Sequence, residues 1–429
     1  MRVCVMGLWH LGCVTAGCLA AAGHDVVGLD ADPEVIAELR KGVPPLFEPG
    51  LEQLIKDGLA SGALRFETDG KSAVIDADVL WVTFDTPVDD DDCPQVEAVA
   101  GPVADIVPEL PDGCLVLISS QLPVGTTRRL AGHAGARATF AYSPENLRLG
   151  KAIEVFTRPD RVVVGLQSEA DRGKVTALLA PFTSNVVWMD LEAAEMTKHA
   201  INAFLATSVA FMNEIAALCE MVGADAKDVE RGLKSEERIG PKAYLSPGGA
   251  YAGGTLARDV TTLADLGRKL DVPIGLLSAV RDSNSEHRSW ALRKLKARHG
   301  TLSGRRIAIL GLTYKSGTST LRRSAAVELA LSLGAEGATV VAFDPAIHEL
   351  PSGLAGQICL AGSPAAALAH ADAVVLSTPW PKIQDLDWPG LIASMKCPIV
   401  IDANWVLAGR LRSHPGIAYA AVGLPWSVA

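Results

Sequence analysis

Positive charge is scarce in this chain. Its 429 residues carry 39 Lys and Arg against 49 Asp and Glu, a net charge of −10 at pH 7. No basic footprint is available for a nucleic-acid partner. No run of about 18 apolar residues stands out as a membrane span. Met1-Arg2 leads directly into an apolar strand broken by a glycine-rich turn, so no secretory leader is expected and the expected location is cytoplasmic. The eight cysteines, at 4, 13, 18, 93, 114, 219, 359 and 397, include no CxxC pair and sit mostly in apolar surroundings. That pattern suits buried, reduced thiols, and no metal is expected. Low-complexity tracts are also missing. A hydrophobic content of 49% and a charged content of 21% describe a soluble globular protein, long enough for two or three domains.

The chain does contain alternating strands and helices. Arg2–Met6 reads as a strand, Gly7-Leu8-Trp9-His10-Leu11-Gly12 as a turn, Cys13–Ala22 as an Ala-rich helix, and Asp25–Leu29 as a second strand ending in Asp30. This is the β-α-β arrangement of a dinucleotide site. Gly7, Trp9, Leu11 and Gly12 would lie against the pyrophosphate. Asp30, 18 positions after Gly12, would bind ribose hydroxyls and repel a 2′-phosphate, which favours NAD over NADP. The turn departs from G-x-G-x-x-G at its middle position, where Trp9 replaces glycine, but the helix N-terminus still offers free N–H groups. Further apolar strands at Val79–Thr83, Leu115–Ser119 and near Thr139–Tyr142 lead into loops that carry Thr86, Gln121 and Glu145. Ligand-lining residues lie at such carboxyl ends. A second series begins at Ile307–Gly311 and continues through Val340–Asp344, Ala373–Thr378 and Ile399–Asp402.

The expected fold class is α/β: two Rossmann-like, doubly wound parallel-sheet domains joined by a long central helix and a helical dimerisation segment. The expected division is 1–185 (NAD binding), 186–300 (central, with a helix over Leu191–Val222) and 301–429 (second Rossmann-like domain).

Residues 247–259 read Pro-Gly-Gly-Ala-Tyr-Ala-Gly-Gly-Thr-Leu-Ala-Arg-Asp. The segment resembles the active-site loop of the UDP-glucose/GDP-mannose dehydrogenase family, Pro-Gly-x-Gly-aromatic-Gly-Gly-Ser-Cys-x-Pro-Lys-Asp. Other markers follow in family order. They are Phe47-Glu48-Pro49-Gly50-Leu51, Thr86-Pro87, Pro123-Val124-Gly125-Thr126, Ser143-Pro144-Glu145-Asn146-Leu147-Arg148 and Pro159-Asp160-Arg161, then Glu195, Lys198 and Asn202. Arg238-Ile239-Gly240 precedes the loop, and Gly311-Leu312-Thr313-Tyr314-Lys315, Thr318, Arg322 and Ser324 come after it.

The resemblance implies NAD as cofactor, a nucleotide sugar or similar phosphorylated alcohol as substrate, and a homodimer. It assigns Lys198 and Asn202, four apart on one helix, to polarising the alcohol oxygen and a bound water. Their alternative is a solvated helix surface, disfavoured by the apolar Ala200, Ile201, Phe204 and Leu205 around them. Glu145 is implied as a general base, against a loop carboxylate or helix cap. Asp259 is implied to hold the water or lysine, against capping a helix over Val260–Leu270. Leu147, Arg238, Tyr251, Gly253 and Lys315 are implied substrate contacts, with Arg238 reaching across a dimer interface. Thr86, Gln121, Arg258 and Arg322 are implied on the cofactor side.

The departures from the family pattern share a direction. Without a gap, Thr255 stands where the family has its nucleophilic cysteine, and no cysteine lies between Cys219 and Cys359. Oxidation to the acid needs a covalent thiohemiacetal and thioester. A thiol with a pKa of about 8.5 can be tuned to thiolate, whereas an alcohol is far less acidic. Gln121 replaces a threonine, Leu149 a carboxylate and Arg258 a lysine, and Asp402-Ala403-Asn404-Trp405 lacks the family arginine. The expectation is an NAD-dependent primary-alcohol dehydrogenase that stops at the aldehyde. The alternatives are an epimerase or eliminase with tightly held NAD, and an inactive nucleotide-sugar-binding homologue.

Overall fold

The computed structural model describes residues 1–89, 94–135, 137–145, 147–252 and 254–426. The chain divides into two compact units, Met1–Ile201 and Asn202–Ala429.

The first unit is built on strands β1 (Arg2–Met6), β2 (Asp25–Leu29), β3 (Leu64–Glu67), β4 (Val79–Val82), β5 (Cys114–Ile118), β6 (Ala138–Tyr142), β7 (Val162–Leu166) and β8 (Val186–Asp190). They form one sheet in the order β3-β2-β1-β4-β5-β6-β7-β8. All neighbours are parallel except β6 and β7. The central strands β4 and β5 are unbroken, fully buried apolar runs because helices cover both faces. Alternate residues of β1 enter opposite cores, Val3 and Val5 on one side and Cys4 and Met6 on the other. The sheet order steps outward in both directions from the β1/β4 pair, and that reversal opens the ligand crevice of a doubly wound sheet.

The second unit repeats the plan with β9 (Arg306–Leu310), β10 (Thr339–Phe343), β11 (Cys359–Leu360), β12 (Ala373–Leu376), β13 (Ile399–Asp402) and β14 (Ala418–Ala420). Its order is β11-β10-β9-β12-β13-β14, parallel throughout. The two doubly wound sheets expected from the sequence are therefore both present.

The central helix spans Leu191–Val222 as expected. At 1.5 Å per residue its 32 residues extend about 48 Å. Among the described residues it is the one helix long and apolar enough to cross a membrane by length and composition. No unbroken apolar run marks it in the sequence, because Glu192, Glu195, Lys198 and Glu214 interrupt it. Its most apolar window is 44% buried within the protein, and a core helix meets the same criteria.

Candidate functional site

In the first unit, the β1–helix turn is shaped by two glycines. Gly7 has φ +96°, and a Cβ on Gly12 would sit 1.9 Å from the Gly7 carbonyl oxygen. The helix thus starts in contact with the turn. It runs over His10–Ala21, three residues earlier than the sequence suggested, with Trp9 as its N-cap. Trp9 has an ordinary extended backbone (φ −88°) and a 46% exposed side chain, so the turn closes without the middle glycine of the motif. His10, Leu11 and Gly12 open the helix and have no intrahelical acceptor for their N–H groups. No acidic residue lies in that turn, which suits an anion. The Leu11 side chain is buried, so what it offers a cofactor is backbone.

Asp30 follows β2. Its carboxylate accepts from Leu8 N–H (2.8 Å) and Asp32 N–H (3.0 Å) and keeps further acceptor capacity, since it is only half-buried. Asp344, its counterpart after β10, is fully buried. It is consumed by Leu312 N–H, Thr313 N–H, Thr313 Oγ1, Trp380 Nε1 and Ala346 N–H at 2.7–3.1 Å. The two units share one turn geometry, but only the first leaves its carboxylate able to bind a ribose. NAD therefore fits the first unit: helix N–H groups for pyrophosphate, Asp30 for ribose. Thr86 Oγ1 donates to the Gln121 carbonyl (2.7 Å), tying together the loops after β4 and β5.

Lys198 is buried on the central helix and donates through Nζ to the Glu145 backbone carbonyl (2.7 Å). The Glu145 carboxylate accepts from Leu147 N–H (2.6 Å). Two separately named candidates, Lys198 and Glu145, thus meet through the Glu145 backbone oxygen. Two markers turn out to be anchors. Buried Glu48 accepts from His10 Nε2, Gly150 N–H and Ala152 N–H at 2.8–2.9 Å. Burial pushes its carboxyl up, but the Gly150, His10 and Ala152 donors outweigh this and hold it below the usual range. Glu195 accepts from Gly125 N–H, Thr127 N–H and Thr127 Oγ1 at 2.6–2.9 Å, capping the helix Thr126–Ala134. Burial raises its carboxyl despite those donors.

In the second unit, Asn202 Nδ2 donates to Asp259 Oδ2, and both residues are buried. Because the carboxylate only accepts, it fixes which way the Asn202 amide points. Asp259 does not cap a helix over Val260–Leu270. The helix is Thr255–Lys269, N-capped by Gly254 at φ +101°, and Asp259 lies inside it. It begins earlier than the sequence suggests: Thr255–Arg258 read as loop, whereas Gly254 already reverses the chain. Arg258 Nε lies 4.0 Å from Asp259 Oδ1. Thr255 is the exposed first residue of that helix.

Side chains hold the loop before it by its peptide groups. Gly248 N–H donates to Asn213 Oδ1 (3.1 Å), Gly249 N–H to Asn404 Oδ1 (2.9 Å) and Tyr251 N–H to Asn284 Oδ1 (2.9 Å). Asn284 Nδ2 donates to the Tyr251 carbonyl (3.0 Å), and His287 Nε2 bonds the Gly248 carbonyl (2.8 Å). Since a carbonyl only accepts, Nε2 carries the proton. Burial lowers the pKa of this imidazole. The Tyr251 ring packs among Ala203, Ala206, Ala210, Val260 and Val280, so its side chain faces core. A cavity of about 300 Å³ adjoins the loop, with Lys315, Tyr314, Arg288, His287 and Asn404 in its wall. Arg322 is exposed beyond the same segment. Arg238 is exposed and pairs with Glu236 (2.8 Å). Gly253 lies outside the described residues.

Sequence reasoning missed Asn213, Asn284 and His287, and saw Asn404 only as a lost arginine, because polar residues far apart in the chain give no local signal of a shared loop. Burial pushes the thiols of Cys13 and Cys18 up to about 12, so neither offers a thiolate near neutrality.

Residues 1–183 match the NAD binding domain of the UDP-glucose/GDP-mannose dehydrogenase family, 192–286 its central domain and 308–409 its UDP binding domain. The chain is 35% identical to the UDP-glucose 6-dehydrogenase of Rhizobium meliloti, over 99% of this chain and 100% of that one. It is 34% identical to the enzyme of that name from Pseudomonas aeruginosa, over 99% and 98%. The structure of a UDP-glucose dehydrogenase from Pyrobaculum islandicum superposes with a TM-score of 0.86 at 30% identity, covering 99% of this chain and 98% of that one. With the sheets, the glycine turn and Asp30, these similarities show that the chain is an NAD-dependent oxidoreductase of the UDP-glucose/GDP-mannose dehydrogenase family.

Proposed function

We propose that the chain oxidises the primary alcohol of a nucleotide sugar, with UDP-glucose as the default substrate, and releases the aldehyde after a single hydride transfer. The observation that carries this reading is Thr255, the exposed first residue of the helix Thr255–Lys269 at the position the family pattern gives to cysteine. A β-branched secondary alcohol in that place cannot form the thioester that the second oxidation needs.

The residues of the first oxidation are retained. NAD, when bound, accepts the hydride. Lys198 and Asn202 lie one helical turn apart and offer an ammonium and an amide to the developing alkoxide. Asp259 holds the Asn202 amide in one orientation. Glu145 supplies the base that takes the hydroxyl proton. Loss of that proton and one hydride converts CH2OH to CHO, and the chemistry ends there for want of a thiol. Lys315, Leu147 and Arg238 are read as substrate contacts, and Arg258 and Arg322 as cofactor contacts.

The division into 1–185, 186–300 and 301–429 and a cytoplasmic homodimer belong to the same reading. Phe204, Phe211 and Leu218 support the dimer. They recur every seven residues on one stripe of the central helix and are 71%, 48% and 62% exposed. Incubation with NAD and a panel of nucleotide sugars, followed by mass analysis, tests the reaction. Loss of two mass units with one NADH is expected. A carboxylate with two NADH would overturn the truncation, and inert binding of the same sugars would favour a non-catalytic homologue.

A further inference from the structure

Asn404 differs from the other three residues that hold the glycine loop. Asn213 and Asn284 sit within helices and His287 is buried, whereas Asn404 follows the carboxyl end of β13, is exposed, and stands in the wall of the 300 Å³ cavity. Its amide lies where the loop leaves room. A Cβ on Gly248 would approach Asn404 Oδ1 to 3.0 Å, and one on Gly249 would approach it to 3.4 Å. Because Gly249 N–H is a donor, the carbonyl side of the amide must face the loop, which directs the amino side away from it. No hydrogen bond uses that Nδ2 among the described residues.

The turn that carries Asn404 is held by its own hydrogen bonds. Buried Asp402 accepts from Val406 N–H (3.1 Å), Leu407 N–H (2.7 Å) and Tyr419 OH (2.7 Å). Trp405 is held in the left-handed region at φ +63° and donates through Nε1 to the Val422 carbonyl (2.9 Å). Lys227 and Arg412 flank its ring at 5.9 and 5.8 Å. Such a conformation persists only where the surroundings over-determine it, and it commonly marks a functional turn.

We infer that Asn404 is a positioning and specificity-determining residue with two faces. Its carbonyl oxygen latches the glycine loop that leads into the Thr255 helix. Its amino group donates to an oxygen of the nucleoside diphosphate in the cavity, beside the Lys315 ammonium. The second half rests on the nucleotide-sugar reading. A neutral donor replaces a cation here, and Arg288 in the same wall is shared with Glu328 (3.0 Å). Recognition in this chain therefore relies on hydrogen-bond geometry more than on summed positive charge, and loop order is coupled to occupancy of the cavity.

Two substitutions separate the faces. Asn404→Asp keeps an acceptor for Gly249 N–H but replaces the donor with a negative charge. Asn404→Ala removes both. Calorimetric titration of the full chain with UDP and hydrogen exchange across the peptide 247–252 are the readouts. The Asp variant should show wild-type exchange and bind UDP at least about tenfold more weakly, the scale of one lost hydrogen bond. The Ala variant should exchange faster at Gly249, again by about tenfold, with kcat falling as well as KM rising. An Asp variant that binds UDP as tightly as wild type would overturn the recognition role. An Ala variant with unchanged exchange would overturn the latch. Wild-type protein that binds neither UDP nor UDP-glucose would instead overturn the nucleotide-sugar reading, and the exchange arm would still decide the latch.

Discussion

Gly12→Ala and Gly17→Ala lie on the same helix and should behave oppositely. Neither glycine has a positive φ, so alanine suits both backbones and space alone decides. A Cβ at residue 12 meets the Gly7 carbonyl oxygen at 1.9 Å and Thr83 Oγ1 at 2.9 Å. The first is backbone, held by the bond from Gly7 N–H to the Leu29 carbonyl and by Thr83 Oγ1 on the Gly7 carbonyl, so it cannot swing aside. Reaching an ordinary contact of about 3.5 Å requires the helix to back off by roughly 1.5 Å. Overpacking of that kind costs about 3 kcal/mol or more, a fall in Tm of roughly 6–12 °C for a domain of this size. The same displacement withdraws the N–H groups of His10, Leu11 and Gly12 from a pyrophosphate, so Kd for NAD should rise about 10–100-fold. At residue 17 the Cβ meets Leu54 Cδ2 at 2.9 Å, the movable end of a side chain. Alanine there recovers up to about 1 kcal/mol of helix propensity, and the net effect should be near zero. Thermal unfolding and NAD titration of both variants are the assays. Wild-type NAD affinity in Gly12→Ala would refute the account of the turn.

Other outcomes follow from the same geometry. Asn202→Ala should lower kcat about 10²–10³-fold with a smaller change in KM, by removing a donor to the alkoxide and leaving Asp259 without its amide. Steady-state kinetics check this, and an unchanged kcat would reduce the pair to packing. Because Glu48 is held below its unfolded-chain value, the stability it contributes is fully present above the ordinary carboxylate range. It is lost as pH falls through the folded value. Urea unfolding of wild type and Glu48→Gln should therefore differ at pH 7 and converge towards pH 3, and a gap independent of pH would contradict the assignment. Phe211→Glu, in the exposed stripe of the central helix, should shift the mass found by light scattering from dimer to monomer, and an unchanged mass would exclude that stripe.

Much of the fold was legible because short apolar runs bounded by turn residues suit strands covered on both faces, and because β1, Gly7, Gly12 and Asp30 fall at fixed spacings. The central helix was legible end to end, since its apolar face repeats without proline or glycine until Gly223. The site was legible in residue types more than in contacts. Lys198 and Glu145 do meet, but at the Glu145 backbone oxygen, and no pattern of residues distinguishes a carbonyl contact from a carboxylate one. Asp259 was legible as a site carboxylate, with helix capping as the alternative, but not as a residue inside a helix that already begins at Thr255. Its partner Asn202 is 57 positions away. Tyr251 carried the aromatic of the motif, yet its ring fills a core of small residues, a choice set by the room that Ala203, Ala206 and Ala210 leave. Asn404 was visible only as a lost arginine, and its bond to Gly249 depends on how the end of β13 meets the loop.

The most direct measurement is the number of NADH formed per molecule of UDP-glucose consumed, in wild type and in Thr255→Cys. The account requires one in the wild type, with the aldehyde or its hydrate as product. It requires two once a thiol stands at the first position of the Thr255 helix, where the free N–H groups favour thiolate. Two NADH and a carboxylate from the wild type would contradict it, because water would then be completing the oxidation without a nucleophilic side chain.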